Sequence, residues 1–175
     1  LSKIATDFSA FAQLSLGSPV SLDIHQELEN LVEFFDQEDR SRVTLDLSPT
    51  PPYVWIDPNH FNRILTNLIK NAFEAIPEDR EGRVEIGTCG IKDQYVCLWV
   101  SDNGKGIPTD EQAHIFQPNF STKGSGTGLG LAMINKMMES AGGSITFTSL
   151  PDEGTTFYLY FQVVSHQEAT HRVAE

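Results

Sequence analysis

The chain has 175 residues, of which 24 are acidic and 12 are basic, so its formal net charge is −12. A negative charge of this size disfavours nonspecific binding to nucleic acid or to acidic lipid. The hydrophobic fraction of 39% is ordinary for a globular protein, and no apolar run approaches the roughly 18 residues that a membrane span needs. The length suits one domain with a full core and a short appendage.

The first segment, residues 1–16, has apolar residues at close to helical spacing and is ended by Gly17-Ser18-Pro19. One short helix with a broad apolar face needs a partner helix, so we interpret this segment as part of a neighbouring domain. A packed N-terminal helix of the same domain is the alternative. Since the chain starts at Leu1 and shows no signal-peptide pattern, we expect it to be a fragment of a longer protein.

Hydrophobic periodicity then predicts a series of strands and helices. The predicted strands span residues 20–22, 43–47, 53–56, 83–88, 95–100, 145–149 and 156–163. The predicted helices span residues 23–37, 57–76 and 129–140. The nearly continuous apolar run 95–100 predicts a strand that is buried on both faces. Cys89 and Cys97 fall in neighbouring strands, and without ligand-like histidine spacing they indicate reduced structural thiols in a cytosolic compartment.

The helix at residues 57–76 combines an apolar face with two unusual polar residues. Asp57 is a good N-cap and Pro58 suits the first turn. Asn67 and Asn71 are four residues apart, so they lie one turn above the other. Asparagine is a poor helix former, so the pair needs a reason. Either the amides bond to the backbone, or their oxygens hold a hard cation or its water shell.

The sequence S-D-N-G-K-G-I-P follows the apolar strand at residues 101–108. Asp102 lies just past the strand end, where a carboxylate can face a pocket. Asn103-Gly104 and Gly106 favour a tight turn and a close backbone approach. A solvent-exposed hairpin turn is the alternative, but Gly106-Ile107-Pro108 does not restart a strand.

A glycine-rich segment, S-T-K-G-S-G-T-G-L-G-L-A, follows a polar stretch that we interpret as a lid (residues 109–125) and leads into the last helix. Glycines allow close approach to a ligand, and a helix N-terminus favours anions, so the segment predicts a phosphate site. A flexible linker is the alternative. A Walker A loop is excluded because Lys123 precedes the glycines, and the spacing also fails the dinucleotide fingerprint.

Five motifs occur in one order: N-L-I-K-N-A (67–72), D-N-G-K-G-I (102–107), F-Q-P-N-F-S-T-K (116–123), G-T-G-L-G-L (126–131) and G-T-T-F (154–157). Together they resemble the N, G1, F, G2 and G3 boxes of the ATP-binding catalytic domain of bacterial sensor histidine kinases, most of all the nitrogen-regulation type. The resemblance covers residues 20–163. The same superfamily includes gyrase, mismatch-repair and heat-shock ATPases.

This resemblance implies an α+β fold, a two-layer α/β sandwich whose mixed, mostly antiparallel sheet has helices on one face. It implies ATP and Mg²⁺ as cofactors. Asp102 would accept the adenine amino group with support from Thr156, Asn71 would ligate Mg²⁺ beside Asn67, and Lys123 would be a lid cation. The other implied nucleotide-binding residues are Gly104, Gly106, Ile107, Gly126, Thr127, Gly128, Leu129 and Gly130.

The implied domains are the end of a dimerisation helix (1–17), the catalytic domain (18–164) and a C-terminal tail (165–175). The implied partners are the protein's own phosphoacceptor domain and a response regulator, in a cytoplasmic homodimer whose parent could be anchored in the inner membrane. The acceptor motif is absent, because none of the five histidines has its context. They are His25, His60, His114, His166 and His171.

Two departures from the family pattern bear on function. The family's ATPases have a Glu that activates water where this chain has Asn67, and because an amide cannot act as a base this favours a kinase. Asn119 replaces a usual aromatic residue, which affects how the lid docks. The alternatives are an ATPase or serine kinase of the superfamily, or a non-catalytic nucleotide-binding scaffold.

Overall fold

The computed structural model describes residues 17–36, 43–118, 120 and 128–164. The strands of these ranges are β1 (Val20–Asp23), β2 (Val43–Asp46), β3 (Tyr53–Ile56), β4 (Val84–Thr88), β5 (Tyr95–Asp102), β6 (Ser144–Leu150) and β7 (Gly154–Gln162). The helices are α1 (Ile24–Asp36), α2 (Pro58–Ala75) and α3 (Gly130–Ser140), with a 3₁₀ turn at Gln112–His114.

The main sheet has the strand order β2-β4-β5-β7-β6. β2 and β4 are parallel, whereas the other neighbouring strands are antiparallel. β1 and β3 form a separate antiparallel pair. The predicted α+β sandwich with a mixed, mostly antiparallel sheet and helices on one face is therefore confirmed.

One face of the sheet holds the core and the other does not. In β5, Val96, Leu98 and Val100 are buried beneath the helices, whereas the alternate residues Cys97, Trp99 and Ser101 are only half-buried. The prediction that this strand is buried on both faces was therefore wrong. On the outer face, the large apolar side chain of this strand is Trp99. Its indole lies over Gly87 of β4 and leaves no room there for a side chain.

Helix α2 begins as its sequence predicts. The Oδ1 atom of Asp57 accepts hydrogen bonds from the backbone N–H groups of Asn59 (2.7 Å) and His60 (3.3 Å), which satisfies two donors that the helix itself cannot pair. Helix α2 buries its apolar face against the sheet. Its buried residues are Phe61, Ile64, Leu65, Leu68, Ile69 and Ala72.

The two cysteines face each other across β4 and β5. The register pairs Thr88 with Leu98, and in the next pair the N–H of Cys89 donates to the carbonyl oxygen of Cys97 (2.8 Å). Both thiols are free. Burial, followed by the neighbouring Cys89, raises the pKa of Cys97 to about 11, although a hydrogen bond with Tyr160 acts in the opposite direction.

We expect the two thiols to differ in their reaction with iodoacetamide at pH 8. The reactive species is the thiolate, and the raised pKa keeps Cys97 protonated until the pH approaches 11, whereas Cys89 is exposed. Mass spectrometry of digested protein should find Cys89 labelled well before Cys97. In Cys89→Ser, labelling of Cys97 should stay slow at pH 8 and accelerate at higher pH. Equal rates for the two thiols at pH 8 would contradict the assignment.

Candidate nucleotide-binding site

Asp102 is the last residue of β5 and lies on the helix-covered face of the sheet. It has the same strand parity as the buried Val96, Leu98 and Val100, and its Oδ1 accepts a hydrogen bond from the N–H of Gly104 (2.8 Å). An ionised carboxylate has several acceptor positions. A half-buried carboxylate at this edge can therefore hold the loop that follows it and also bind a donor on a ligand.

The segment after Asp102, residues 103–107 (the Asp102 loop), packs against the end of α2 and the β6–β7 turn. The N–H of Lys105 donates to the carbonyl oxygen of Ala75 (2.9 Å), and a Cβ on Gly104 would lie 2.7 Å from that same oxygen. Gly106 has φ +68°, and a Cβ there would overlap the carbonyl oxygen of Leu150. Since both glycines are buried, the alternative of a solvent-exposed hairpin turn is wrong.

Arg80 fixes the Asp102 loop and is a residue that sequence analysis missed. Its Nη1 lies 2.7 Å from the carbonyl oxygen of Asn103, 2.9 Å from that of Gly104 and 3.1 Å from that of Asp152. One guanidinium therefore joins the Asp102 loop to the β6–β7 turn. The sequence contains no signal for this role, because the partners are backbone carbonyls from distant segments.

The predicted role of Thr156 does not fit the geometry. Thr156 pairs with Ser101, and their hydroxyl oxygens are 2.8 Å apart on the outer face. Thr155 is the residue opposite Asp102, on the helix-covered face, where it is 5% exposed. Strand parity with the apolar positions 157, 159 and 161 was the signal that would have identified Thr155 instead.

Ser149 connects Thr155 to the Asp102 loop. Its Oγ accepts from the N–H of Ile107 (2.8 Å), donates to the carbonyl oxygen of Gly154 (3.0 Å), and lies 2.9 Å from the Oγ1 of Thr155. The side-chain amide of Gln112 donates to the carbonyl oxygen of Ile107 (3.0 Å). These bonds hold the predicted site residue Ile107 beside β6.

The two asparagines of α2 are half-buried and one turn apart. The Nδ2 of Asn67 donates to the carbonyl oxygen of Arg63 (2.8 Å). The first alternative, an amide that bonds to the backbone, therefore applies to the nitrogen of Asn67. Asn71 is one turn before Ala75, whose carbonyl oxygen contacts the Asp102 loop. Helix α2 therefore brings Asn71 to the same end of the molecule as Asp102.

The N-terminus of α3 is suited to an anion. Leu129 precedes the helix with no side-chain cap, and it is 2% exposed and so anchors the helix start. Gly128 has φ +67°, and a Cβ on Gly130 would meet no described atom within 4 Å. Unpaired N–H groups and the helix dipole favour a phosphate here. The predicted site residues Lys123, Gly126 and Thr127 lie outside the described residues, as does Asn119.

Residues 56–165 match the family model described as histidine kinase-, DNA gyrase B- and HSP90-like ATPase. The chain belongs to this ATPase family. The resemblance to the catalytic ATP-binding domain of sensor histidine kinases, including the nitrogen-regulation type, is confirmed by its relatives.

Two curated relatives come from Klebsiella oxytoca. The sensor histidine kinase ZraS is 34% identical over 151 residues, covering 85% of this chain and 32% of ZraS. The sensory histidine kinase/phosphatase NtrB is 31% identical over 157 residues, covering 84% of this chain and 45% of NtrB. The chain thus spans about a third to a half of the length of these relatives.

Solved structures agree with the fold of the ATPase family. The catalytic domain of the histidine kinase ThkA has a TM-score of 0.72 and 26% identity, covering 83% of this chain and 95% of that domain. Full-length ShkA in complex with AMPPNP has a TM-score of 0.80 and 24% identity, covering 93% of this chain and 36% of ShkA.

The donor groups of the site suit the ATP that this family binds better than a dedicated metal cage. Among the described residues, no three His, Cys, Asp or Glu side chains are grouped to hold a metal ion. In nucleotide sites, Mg²⁺ commonly keeps several waters and is bound by few protein oxygens together with phosphates of the nucleotide. Within the described ranges, no helix is long and apolar enough to cross a membrane.

Proposed function

We propose that the chain transfers the γ-phosphate of ATP to a histidine on a dimerisation domain that lies outside it. The observation that carries this proposal is the position of Asp102, held by the Asp102 loop on the helix-covered face at the end of α2 that bears Asn71. Residues 1–17 would be the end of the dimerisation helix, 18–164 the catalytic domain and 165–175 a tail.

In this proposal Asp102 accepts the adenine amino group, with Thr155 rather than Thr156 supporting it. Asn71 ligates Mg²⁺ and Asn67 lies beside the phosphates. The N-terminus of α3 and Lys123 bind the phosphate charge, and Gly104, Gly106 and Ile107 shape the adenine side. The remaining phosphate-side residues are Gly126, Thr127, Gly128, Leu129 and Gly130.

Phosphoryl transfer requires positioning and charge neutralisation more than covalent help from the protein. Bound Mg²⁺ would supply neutralisation of the phosphate charge. Asn67 cannot take a proton from water, which favours a protein nucleophile over hydrolysis. His25 is buried with its Nε2 2.8 Å from the Oγ1 of Thr88, and His60 is in the first turn of α2. Because none of the five histidines of the chain has the sequence context of the family's acceptor motif, we assign the nucleophile to a domain outside this chain.

The proposed parent protein is a homodimeric, cytoplasmic or inner-membrane-anchored sensor that passes phosphate to a response regulator. The similarity to the histidine kinases ZraS and NtrB supports the kinase part of this proposal.

Radiolabelled ATP should leave the chain itself unlabelled and should label an added dimerisation domain of the parent protein. Transfer needs the nucleophile within about 3–3.5 Å of the phosphorus, and the product should be an acid-labile, base-stable phosphohistidine. Steady ATP turnover without acceptor would favour an ATPase, and ATP binding with neither turnover nor transfer would favour a scaffold. Stable label on the chain alone would also overturn the proposal.

A further inference from the structure

The side chain of Asp57 joins two segments that are far apart in sequence. Its Oδ1 caps α2, as described above, while its Oδ2 accepts a hydrogen bond from the backbone N–H of Ser18 (2.6 Å). Asp57 is 8% exposed, and both of its oxygens are used. A single buried carboxylate thus holds the start of α2 and the segment that enters the domain at residues 17–19.

Gly17 shows that this contact shapes the backbone as well. Gly17 has φ +70°, and a Cβ there would lie 2.8 Å from both the Cβ and the Oδ2 of Asp57. Only glycine combines that backbone conformation with so close an approach. The entering segment is therefore packed against the carboxylate, and its path is fixed one residue before the bond from Ser18.

The contact extends the pairing of β1 with β3. The register begins at Val20 and Ile56, so Ser18 and Asp57 continue the two segments just beyond the ladder.

The hydrogen bond from Ser18, more than those from Asn59 and His60, lowers the pKa of Asp57 against the opposing effect of burial. Asp57 is therefore ionised at neutral pH, and hydrogen bonds to an ionised carboxylate are about twice as strong as neutral ones.

The same helix that Asp57 caps carries Asn67 and Asn71. Since α2 is a continuous helix of 18 residues, the position of its first turn fixes the position of both asparagines relative to the entering segment. We propose that Asp57 is a positioning residue that fastens this segment to α2 and so sets the orientation of the ATP site relative to a domain upstream. This inference rests on the proposed function, in which the acceptor histidine lies upstream.

Asp57→Asn separates the two roles of the carboxylate. Asparagine is as good an N-cap as aspartate, but its amide has one oxygen and two N–H groups, so it cannot accept from α2 and from Ser18 at opposite ends. In the full-length parent kinase we expect autophosphorylation to fall about tenfold, because small misplacements of a nucleophile are costly. With this chain and a separately added acceptor domain, the rate and the ATP affinity should stay within about twofold, because free diffusion does not use the entering segment.

Ser21→Ala is the matched control, because Ser21 lies in β1, directly after the entering segment, and its buried Oγ has no hydrogen-bond partner among the described residues. It should leave both rates unchanged. Gly17→Ala, which drives a Cβ into Asp57, should reproduce the loss in the full-length kinase. If Asp57→Asn slowed phosphate transfer equally in the full-length kinase and with the separately added acceptor domain, Asp57 would have only a stabilising role. If it slowed transfer in neither assay, the inference would also be overturned.

Hydrogen exchange of the isolated chain tests the contact without any kinase activity. The Ser18 amide should exchange slowly in the wild type and much faster in Asp57→Asn, while the amides of α2 stay protected. If the wild type transferred no phosphate, the proposed function would fail, whereas rapid wild-type exchange at Ser18 would refute the fastening itself.

Discussion

Replacing Asp102 with alanine should lower the affinity for ATP by about tenfold to a hundredfold. A hydrogen bond to a charged group contributes about 1.5–3 kcal/mol, and its loss corresponds to a change of that size in the dissociation constant. In the proposed site the carboxylate accepts the adenine amino group, and its removal leaves that donor unpaired. The N–H of Gly104 also loses its 2.8 Å acceptor, which loosens the Asp102 loop. Isothermal calorimetry with ATP measures the effect.

The preference for ATP over GTP is a second measurement that tests the role of Asp102. Guanine has a carbonyl oxygen where adenine has its amino group, so the wild type should reject GTP. Asp102→Asn has an amide N–H that can donate to that oxygen, and it should narrow the preference for ATP over GTP. Asp79→Ala removes an exposed carboxylate and is the charge-matched control. Wild-type ATP affinity in Asp102→Ala would remove Asp102 from the adenine role.

Asn71→Ala should reduce phosphate transfer to an added acceptor domain by about a hundredfold or more, because the proposed protein ligand of the cation is lost and with it the stabilisation of developing charge. The effect should be confined to Mg²⁺-dependent steps. ATP binding measured in excess EDTA should match the wild type, whereas the gain in affinity on adding Mg²⁺ should largely disappear.

Asn62→Ala is the matched control for that experiment. Asn62 is nine residues before Asn71, and at 100° per residue it lies on the opposite side of α2, where its Nδ2 is 3.5 Å from the Oε2 of Glu27. It removes the same amide from the same helix without touching the proposed site. Undiminished transfer in Asn71→Ala, or an equal loss in Asn62→Ala, would exclude the ligand role.

Local signals were enough to predict much of the fold. Helix α2 was predictable because Asp57 caps it and its apolar residues recur at helical spacing, and both are properties of short sequence windows. Asp102 was predictable for a similar reason, since a central strand that ends in an acidic residue and closely spaced glycines places a carboxylate at a sheet edge.

The remaining features depend on contacts between distant segments. The position of Arg80 follows from carbonyls 23, 24 and 72 residues further along the chain, and no local pattern encodes such partners. The choice between Thr155 and Thr156 required the strand register. The half-buried outer face of β5 could not be inferred from hydrophobicity alone, because composition does not say which face the helices cover.

The contacts of Arg80 determine whether the Asp102 loop loses its conformational entropy during folding or during ligand binding. Before any ligand arrives, one guanidinium holds two carbonyls of the loop that would receive the base and ties them to a third carbonyl in the β6–β7 turn. Its conformational entropy is lost when the chain folds, so little ordering is left to oppose association on that side. Sequence changes that loosen this loop would therefore appear twice, as a lower melting temperature of the free domain and as a larger entropic penalty in the calorimetry of its complex.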